Sequence, residues 1–301
     1  MRRPLGAMAL VVSCSLLAGA CSSSSKEAEP TTSTRRTTST TAVTTTTTTT
    51  IEHRAPTSAA EAARRIDLVE TIIHDPAVPA GDPRLAAAGH AEQVLIRAYA
   101  DHADWLSGVP ARWRAAVDDG IRAQTALRSL VATEPKTTLP AWTIRAPKPI
   151  DELRRAYDEG AARWGVPWNY LAAVHFVETK MGRIVGDSSA GAQGPMQFLP
   201  STWAAYGTGD IHDDHDAILA AARYLAANGA PARMHDALFA YNHSERYVTA
   251  ITVYAERMKA DPLAYRGYWG WQVYYATARG AVWLREGYSE PAERPVTDAD
   301  L

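Results

Sequence analysis

VETKMGRIVGDSSAGAQGPMQFLPSTW, residues 177 to 203, joins what reads as a helix end to a loop rich in Gly, Ser and Ala. Residues 168–181 carry apolar side chains at helical spacing. At about 100° per residue, Leu171, Val174, Glu178 and Met181 share one quadrant, so Glu178 points with the apolar stripe. A carboxylic acid held against Leu and Val loses the hydration of its charged form, and its pKa rises toward what a general acid needs. Position alone also allows a buried glutamate paired with a base such as Arg183, or one that snorkels at the helix end. In the loop, Gly182, Gly186, Gly191 and Gly194 let the backbone approach a ligand, and Ser188, Ser189, Gln193 and Gln197 supply neutral donors and acceptors. That lining suits a sugar better than a phosphate, because GDSSAGAQG lacks the Gly-Lys-Ser/Thr ending of a phosphate loop.

Working outward, the pattern from residue 58 is helical almost throughout. Ala-rich amphipathic segments run at about 58–74, 83–107, 110–132, 151–164, 168–181, 216–228, 232–242 and 244–260. Gly165 with Pro167, Gly182, and Gly229 with Pro231 mark helix boundaries. No convincing period-two alternation appears, so the fold class is all-α. The proline-rich stretch 133–150 divides an N-terminal helical region, 57–135, from a larger domain, 136–290, and residues 291–301 form a tail. A formal net charge of −2 across 301 residues argues against a general nucleic-acid binder.

Residues 1–21 read as an export signal: Arg2 and Arg3 precede an apolar run from Leu5 to Ala20, too short for a membrane span. The run ends in LLAGAC followed by SSSS, which resembles a bacterial lipoprotein signal with Cys21 as the lipidated residue; VVSC, ending at Cys14, competes but leaves a very short signal. Both cysteines of the chain lie here, so an exported domain would be held by its core alone. Residues 22–56 are rich in Thr and Ser, too polar to build a core, and read as a disordered tether.

Three motifs, VETKMG, SSAGAQGPMQFLPSTW and ALFAYNHS, resemble the signatures E-[ST]-x-x-G, S-x-x-G-A-x-G-x-M-Q and A-Y-N of lysozyme-like lytic transglycosylases, which cleave the glycan strands of peptidoglycan. The resemblance implies an all-α lysozyme-like domain with Glu178 as catalytic acid. It further implies that Ser188, Met196 and Gln197 shape the sugar sites, and that Tyr241 and Asn242 support the glutamate and substrate. No cofactor or metal is implied; the partners would be peptidoglycan strands and, through the lipid, a membrane. One departure is His243–Ser244, where many members carry Gly soon after the Asn.

Other features have plainer readings beside the functional ones. Most glycosidases use two carboxyl groups, and Asp187 is the candidate for a second, which would make the enzyme a hydrolytic muramidase; as a turn residue after Gly186 it reads as solvated. His212, Asp213, Asp214, His215 and Asp216 could suggest a metal, but acids just before a helix cap free N–H groups. Trp271, in the aromatic stretch 265–275, reads as core packing, with a sugar-stacking wall as the alternative. A noncatalytic wall-binding lipoprotein is the rival from another class, opposed by the intact motifs around Glu178 and Asn242.

Overall fold

The computed structural model describes residues 51–130 and 136–301. Expectations for the signal, for Cys21 and for the tether up to residue 50 lie outside the described residues. Residues 51–56, assigned above to the tether, lie against the first helix, where Arg65 donates to the carbonyls of Glu52 (2.8 Å) and Arg54 (2.7 Å).

Ten α-helices appear among the described residues: α1 Ala59–His74, α2 Pro83–Asp101, α3 Arg114–Leu130, α4 Ile150–Trp164, α5 Trp168–Thr179, α6 Pro200–Tyr206, α7 Asp214–Ala227, α8 Met234–Tyr241, α9 Glu245–Ala260 and α10 Ala264–Gly270. Their ends follow local chemistry. Ser58 and Asp82 cap α1 and α2 through side-chain oxygens that accept from Glu61 N and Arg84 N, and Gly165, at φ +72°, closes α4. The helix expected over 83–107 stops at Asp101 and gives way to a 3-10 turn over Ala103–Gly108. The next helix starts later than expected, because Pro110 leads into a second short 3-10 turn, Ala111–Trp113.

Helix α5 is the centre of the molecule. Every residue from Leu171 to Thr179 is buried, because α4, α7 and α9 all pack on it. An all-round apolar surface is what a central helix needs, so the burial of Glu178 does not depend on one stripe. The N-terminal helices join this core: Ile96 of α2 and Ala123 and Leu127 of α3 belong to the same apolar cluster as Val174 and Phe176. Helix α2 lies backbone to backbone against α10. A Cβ on Gly89 would sit 2.2 Å from the Gly267 carbonyl oxygen, so only glycine allows this approach. Trp271 packs at 5.3 Å on the Phe176 ring and donates its indole N–H to Glu92 Oε2 at 2.9 Å. It is 2% exposed, which excludes it as an open sugar wall in this conformation.

Short strands complete a mainly helical fold. β1 (Thr138–Leu139) pairs antiparallel with β6 (Arg294–Pro295), and β2 (Thr143–Ile144) with β3 (Ile184–Val185), tying the proline-rich connector to the segment after Glu178. β4 (Val273–Thr277) and β5 (Gly280–Leu284) form a hairpin that the sequence pattern did not signal. Both its faces are covered: Val273, Val282 and Leu284 pack with Leu139, Trp142, Ile144 and Ile184, whereas Trp283 packs at a tilt against His90, ring centroids 4.5 Å apart, on the other side. A strand covered on both faces loses the alternation that marks a half-buried one. Among the described residues no helix is long and apolar enough to cross a membrane.

Candidate active site

Helix α5 ends one residue after Glu178, and the turn that follows is unusual. Lys180 (φ 54°), Met181 (φ 59°) and Gly182 (φ 79°) are successively left-handed. Met181 therefore does not extend the helix, as the 168–181 reading assumed. Left-handed conformation costs a non-glycine residue roughly 1–2 kcal/mol, so neighbouring bonds must hold the turn. Thr179 Oγ1 donates to Pro195 O (2.6 Å) and accepts from Gly182 N (3.0 Å), and Arg145 Nε donates to Gly182 O (2.8 Å). The first of these bonds fastens the end of α5 to the glycine-rich loop.

Glu178 itself is 1% exposed. Its Oε1 accepts from the Tyr247 hydroxyl at 2.8 Å, and its Oε2 is buried without a hydrogen-bond partner. Burial pushes the carboxyl up to about 8, against the opposing pull of the Tyr247 hydrogen bond and the Lys180 charge. The acid is thus protonated at neutral pH. With Oε1 engaged as an acceptor, Oε2 is the oxygen left to carry the proton. The ion pair with Arg183 is not formed: that guanidinium, buried and held below its ordinary range by desolvation, donates to Trp269 O at 3.1 Å.

The loop of residues 186–198 folds on itself beside this acid. Ser188 Oγ accepts from Ala190 N (3.3 Å) and Ala192 N (2.9 Å), so its hydroxyl shapes the loop. Gln193 and Phe198 exchange two backbone bonds of 2.8 Å, closing a tight turn. Inside it Gly194, at φ +73°, would bring a Cβ within 1.9 Å of Ile211 O. Gln197, left-handed at φ 51°, donates from Nε2 to Gly194 O at 2.9 Å and keeps Oε1 buried and unpartnered. Asp187 is exposed and accepts from Gln193 Nε2 at 3.3 Å, as expected of a solvated turn residue.

Tyr241 supports a different group from the one expected. Its hydroxyl donates to Met196 O at 2.7 Å, and its ring stacks at 6.3 Å on Tyr247, which in turn holds Glu178. Sequence reasoning missed Tyr247, although Tyr247, Ile251 and Tyr254 follow the i, i+4, i+7 spacing of the inward face of α9. Asn242 ends α8, and its carbonyl accepts from Ser244 N at 2.6 Å, so His243–Ser244 makes the turn without glycine.

Behind α5, His175 Nδ1 meets Tyr157 OH at 2.8 Å and Nε2 lies 3.3 Å from Asp214 Oδ1, while Arg145 Nη2 donates to Asp214 Oδ2 at 2.7 Å. Asp214 is thus a buried ion-pair partner rather than a cap. The cap of α7 is Asp213, whose Oδ1 accepts from His215 N (2.9 Å) and Asp216 N (3.1 Å). Asp216 Oδ2 accepts from Asp210 N (2.9 Å), and His215 pairs with Glu159 (2.9 Å). Asp213 and Asp216 thus serve backbone N–H groups, and Asp213, His215 and Asp216 also bring side-chain ligand atoms within 4.8 Å of one another.

Residues 155–260, from α4 to the end of α9, match the family model described as the Transglycosylase SLT domain. This part of the chain, holding Glu178, its loop, Tyr241 and Tyr247, is similar to domains of the transglycosylase SLT class, in agreement with the three signatures read from the sequence. A relative, the membrane-bound lytic murein transglycosylase F of Thiobacillus denitrificans (strain ATCC 25259 / T1), is 28% identical over 160 residues, which cover 47% of this chain and 34% of that protein. The chain therefore spans about a third of the length of the curated relative it matches. No solved structure matches.

Proposed function

We propose that the chain is a peptidoglycan lytic transglycosylase that cleaves the β-1,4 bond between N-acetylmuramic acid and N-acetylglucosamine and leaves a 1,6-anhydro end. The observation that carries this reading is the setting of one buried carboxyl: Glu178 is pinned through Oε1 by Tyr247, with its pKa raised by burial and Oε2 buried without a hydrogen-bond partner. Oε2–H would protonate the linking oxygen as its bond to the muramic acid C1 breaks, with the substrate's own acetamide carbonyl stabilising the positive charge. The resulting carboxylate would then take the proton of the C6 hydroxyl as that oxygen bonds to C1. The proton returns to Glu178, and no water is consumed. Nucleophile and electrophile belong to one sugar, so effective molarities on the order of 10⁵–10⁸ M favour internal attack. A carboxyl closed to solvent favours it further, and it also requires that strand binding part the side chains over Oε2. Hydrolysis would need a second carboxylate or a held water, and exposed Asp187, bonded to Gln193, gives that route no support.

Ser188, Met196 and Gln197, all buried, would shape the sugar sites by fixing the loop backbone, and Tyr241 and Asn242 by holding that loop to the end of α8. We further propose an exported enzyme held to the membrane by lipid on Cys21, without nucleic-acid partners. Support comes from the LLAGAC motif and the membrane-bound relative. Glu178→Gln tests the core of the reading. It keeps an acceptor for Tyr247 but cannot exchange the proton, so it should bind glycan and lose at least about 10²- to 10⁴-fold in turnover, whereas Asp187→Asn should lose little. Wild-type turnover by Glu178→Gln together with an inactive Asp187→Asn would assign the chemistry to the wrong carboxylate.

A further inference from the structure

Glu178 stands on the last turn of α5, where a helix has spare carbonyls and tends to fray. The chain around it is nevertheless gripped from outside, by groups that take no part in the cleavage chemistry. Asp214, at the start of α7 and 3% exposed, is the hub. Its Oδ1 lies 3.3 Å from Nε2 of His175, three residues before Glu178. The same oxygen covers Gly182, four residues after Glu178, and would stand 2.1 Å from a Cβ there. Its Oδ2 accepts from Arg145 Nη2 at 2.7 Å, and Arg145 Nε donates to Gly182 O at 2.8 Å. One carboxylate thus braces the chain on both sides of the acid.

Each arm of this bracket is itself fixed. Arg145 follows β2, and its backbone N–H donates to Arg183 O at 2.9 Å, just beyond the turn. His175, fully buried, meets the Tyr157 hydroxyl of α4 through Nδ1 at 2.8 Å. The turn also closes on α5, with Lys180 N donating to Phe176 O (3.0 Å) and Met181 N to His175 O (3.2 Å). Left-handed Lys180 and Met181 would relax if the bracket opened, and the end of α5 would move with them. Stability alone gives little reason to bury a carboxylate here, because apolar residues of similar volume often replace a buried ion pair without loss. The charged pair supplies direction instead. A guanidinium presents its donors in a rigid fork, so Arg145 holds a carbonyl and a carboxylate at once in one geometry.

We propose that Arg145 and Asp214 are positioning residues that aim the Glu178 carboxyl at the glycosidic oxygen and keep it closed to water, an inference that rests on the glycan-cleaving reading above. Neither touches the reacting atoms; both act through the turn that follows the acid. A misplacement of about 1 Å at the acid costs on the order of 10²-fold in rate, which sets the scale of the effect.

The test compares the purified wild-type chain with Asp214→Asn, which removes the charge that holds Arg145, and Arg145→Lys, which keeps a charge but cannot serve both partners. Each should lower kcat by about 10- to 100-fold and change KM by less than about threefold. The double variant should lose little more than the worse single one, because both act through one turn. Carbon NMR of the Glu178 carboxyl should show its midpoint falling from near 8 toward 4.5 as the loosened turn admits water. Tyr247 and Lys180, which pull on that proton, and Tyr241 beside them are untouched by either substitution. A merely structural pair would lower the melting temperature and leave kcat per folded molecule and the Glu178 midpoint as in the wild type; that result, or a loss confined to KM, overturns the proposal. If Asp214→Asn does not fold, Arg145→Lys decides by the same readouts. The midpoint needs no turnover, so if the wild type cleaves no glycan a shifted midpoint still supports the bracket and the cleavage reading alone fails.

Discussion

Removing the Tyr247 hydroxyl should move the proton of Glu178 by an amount that the structure fixes in direction and approximate size. Burial drives the acid upward, and the 2.8 Å hydrogen bond from Tyr247 opposes it by favouring the carboxylate. A hydrogen bond to a charged group contributes roughly 1.5–3 kcal/mol. At about 1.36 kcal/mol per pH unit, Tyr247→Phe should lift the Glu178 midpoint by about 1 to 2 pH units above its value near 8. Carbon NMR of the glutamate carboxyl in the free protein reads this directly, and the alkaline limb of kcat/KM should move with it. Folding stability must follow with a defined sign. The folded carboxyl keeps its proton above the ordinary value of 4.5, so stability falls as pH rises from about 4.5 to about 8, and in Tyr247→Phe the fall should continue to higher pH. A midpoint that stays put or drops would refute the assignment of Tyr247 as the group that holds the acid.

Gly194→Ala should destabilise the domain by at least roughly 1–2 kcal/mol, because alanine pays for φ +73° and its Cβ also meets the Ile211 carbonyl. Denaturant unfolding gives the number, and an unchanged midpoint would mean the loop adapts freely. Cys21→Ala should release the full chain from the membrane fraction while activity persists; unchanged fractionation would remove the lipid anchor from the account.

What the sequence revealed depended on how local each signal was. The glycine-rich loop was legible because Gly194 and Gln197 occupy backbone states that the motif itself encodes. Glu178 was legible as a buried acid, although for a partly wrong reason: α5 is wrapped on all sides, and Met181 lies beyond its end. Tyr247 was obscured because its role requires α9 to bring it across 69 residues to Glu178. Asp214 read as a cap because its partners, Arg145 and His175, are remote in sequence. The hairpin escaped for want of alternation. Gly89, Gly267 and Gly270 seemed unremarked helix glycines until α2 and α10 were found touching through them.

The central claim is internal attack governed by one acid, and the product reports it most directly. Purified peptidoglycan digested with the exported domain and resolved by mass spectrometry should yield muropeptides lighter by one water than hydrolysis products, with 1,6-anhydro ends, and none above background from the Glu178→Gln protein. Exclusively reducing ends would contradict the account and make the enzyme a muramidase.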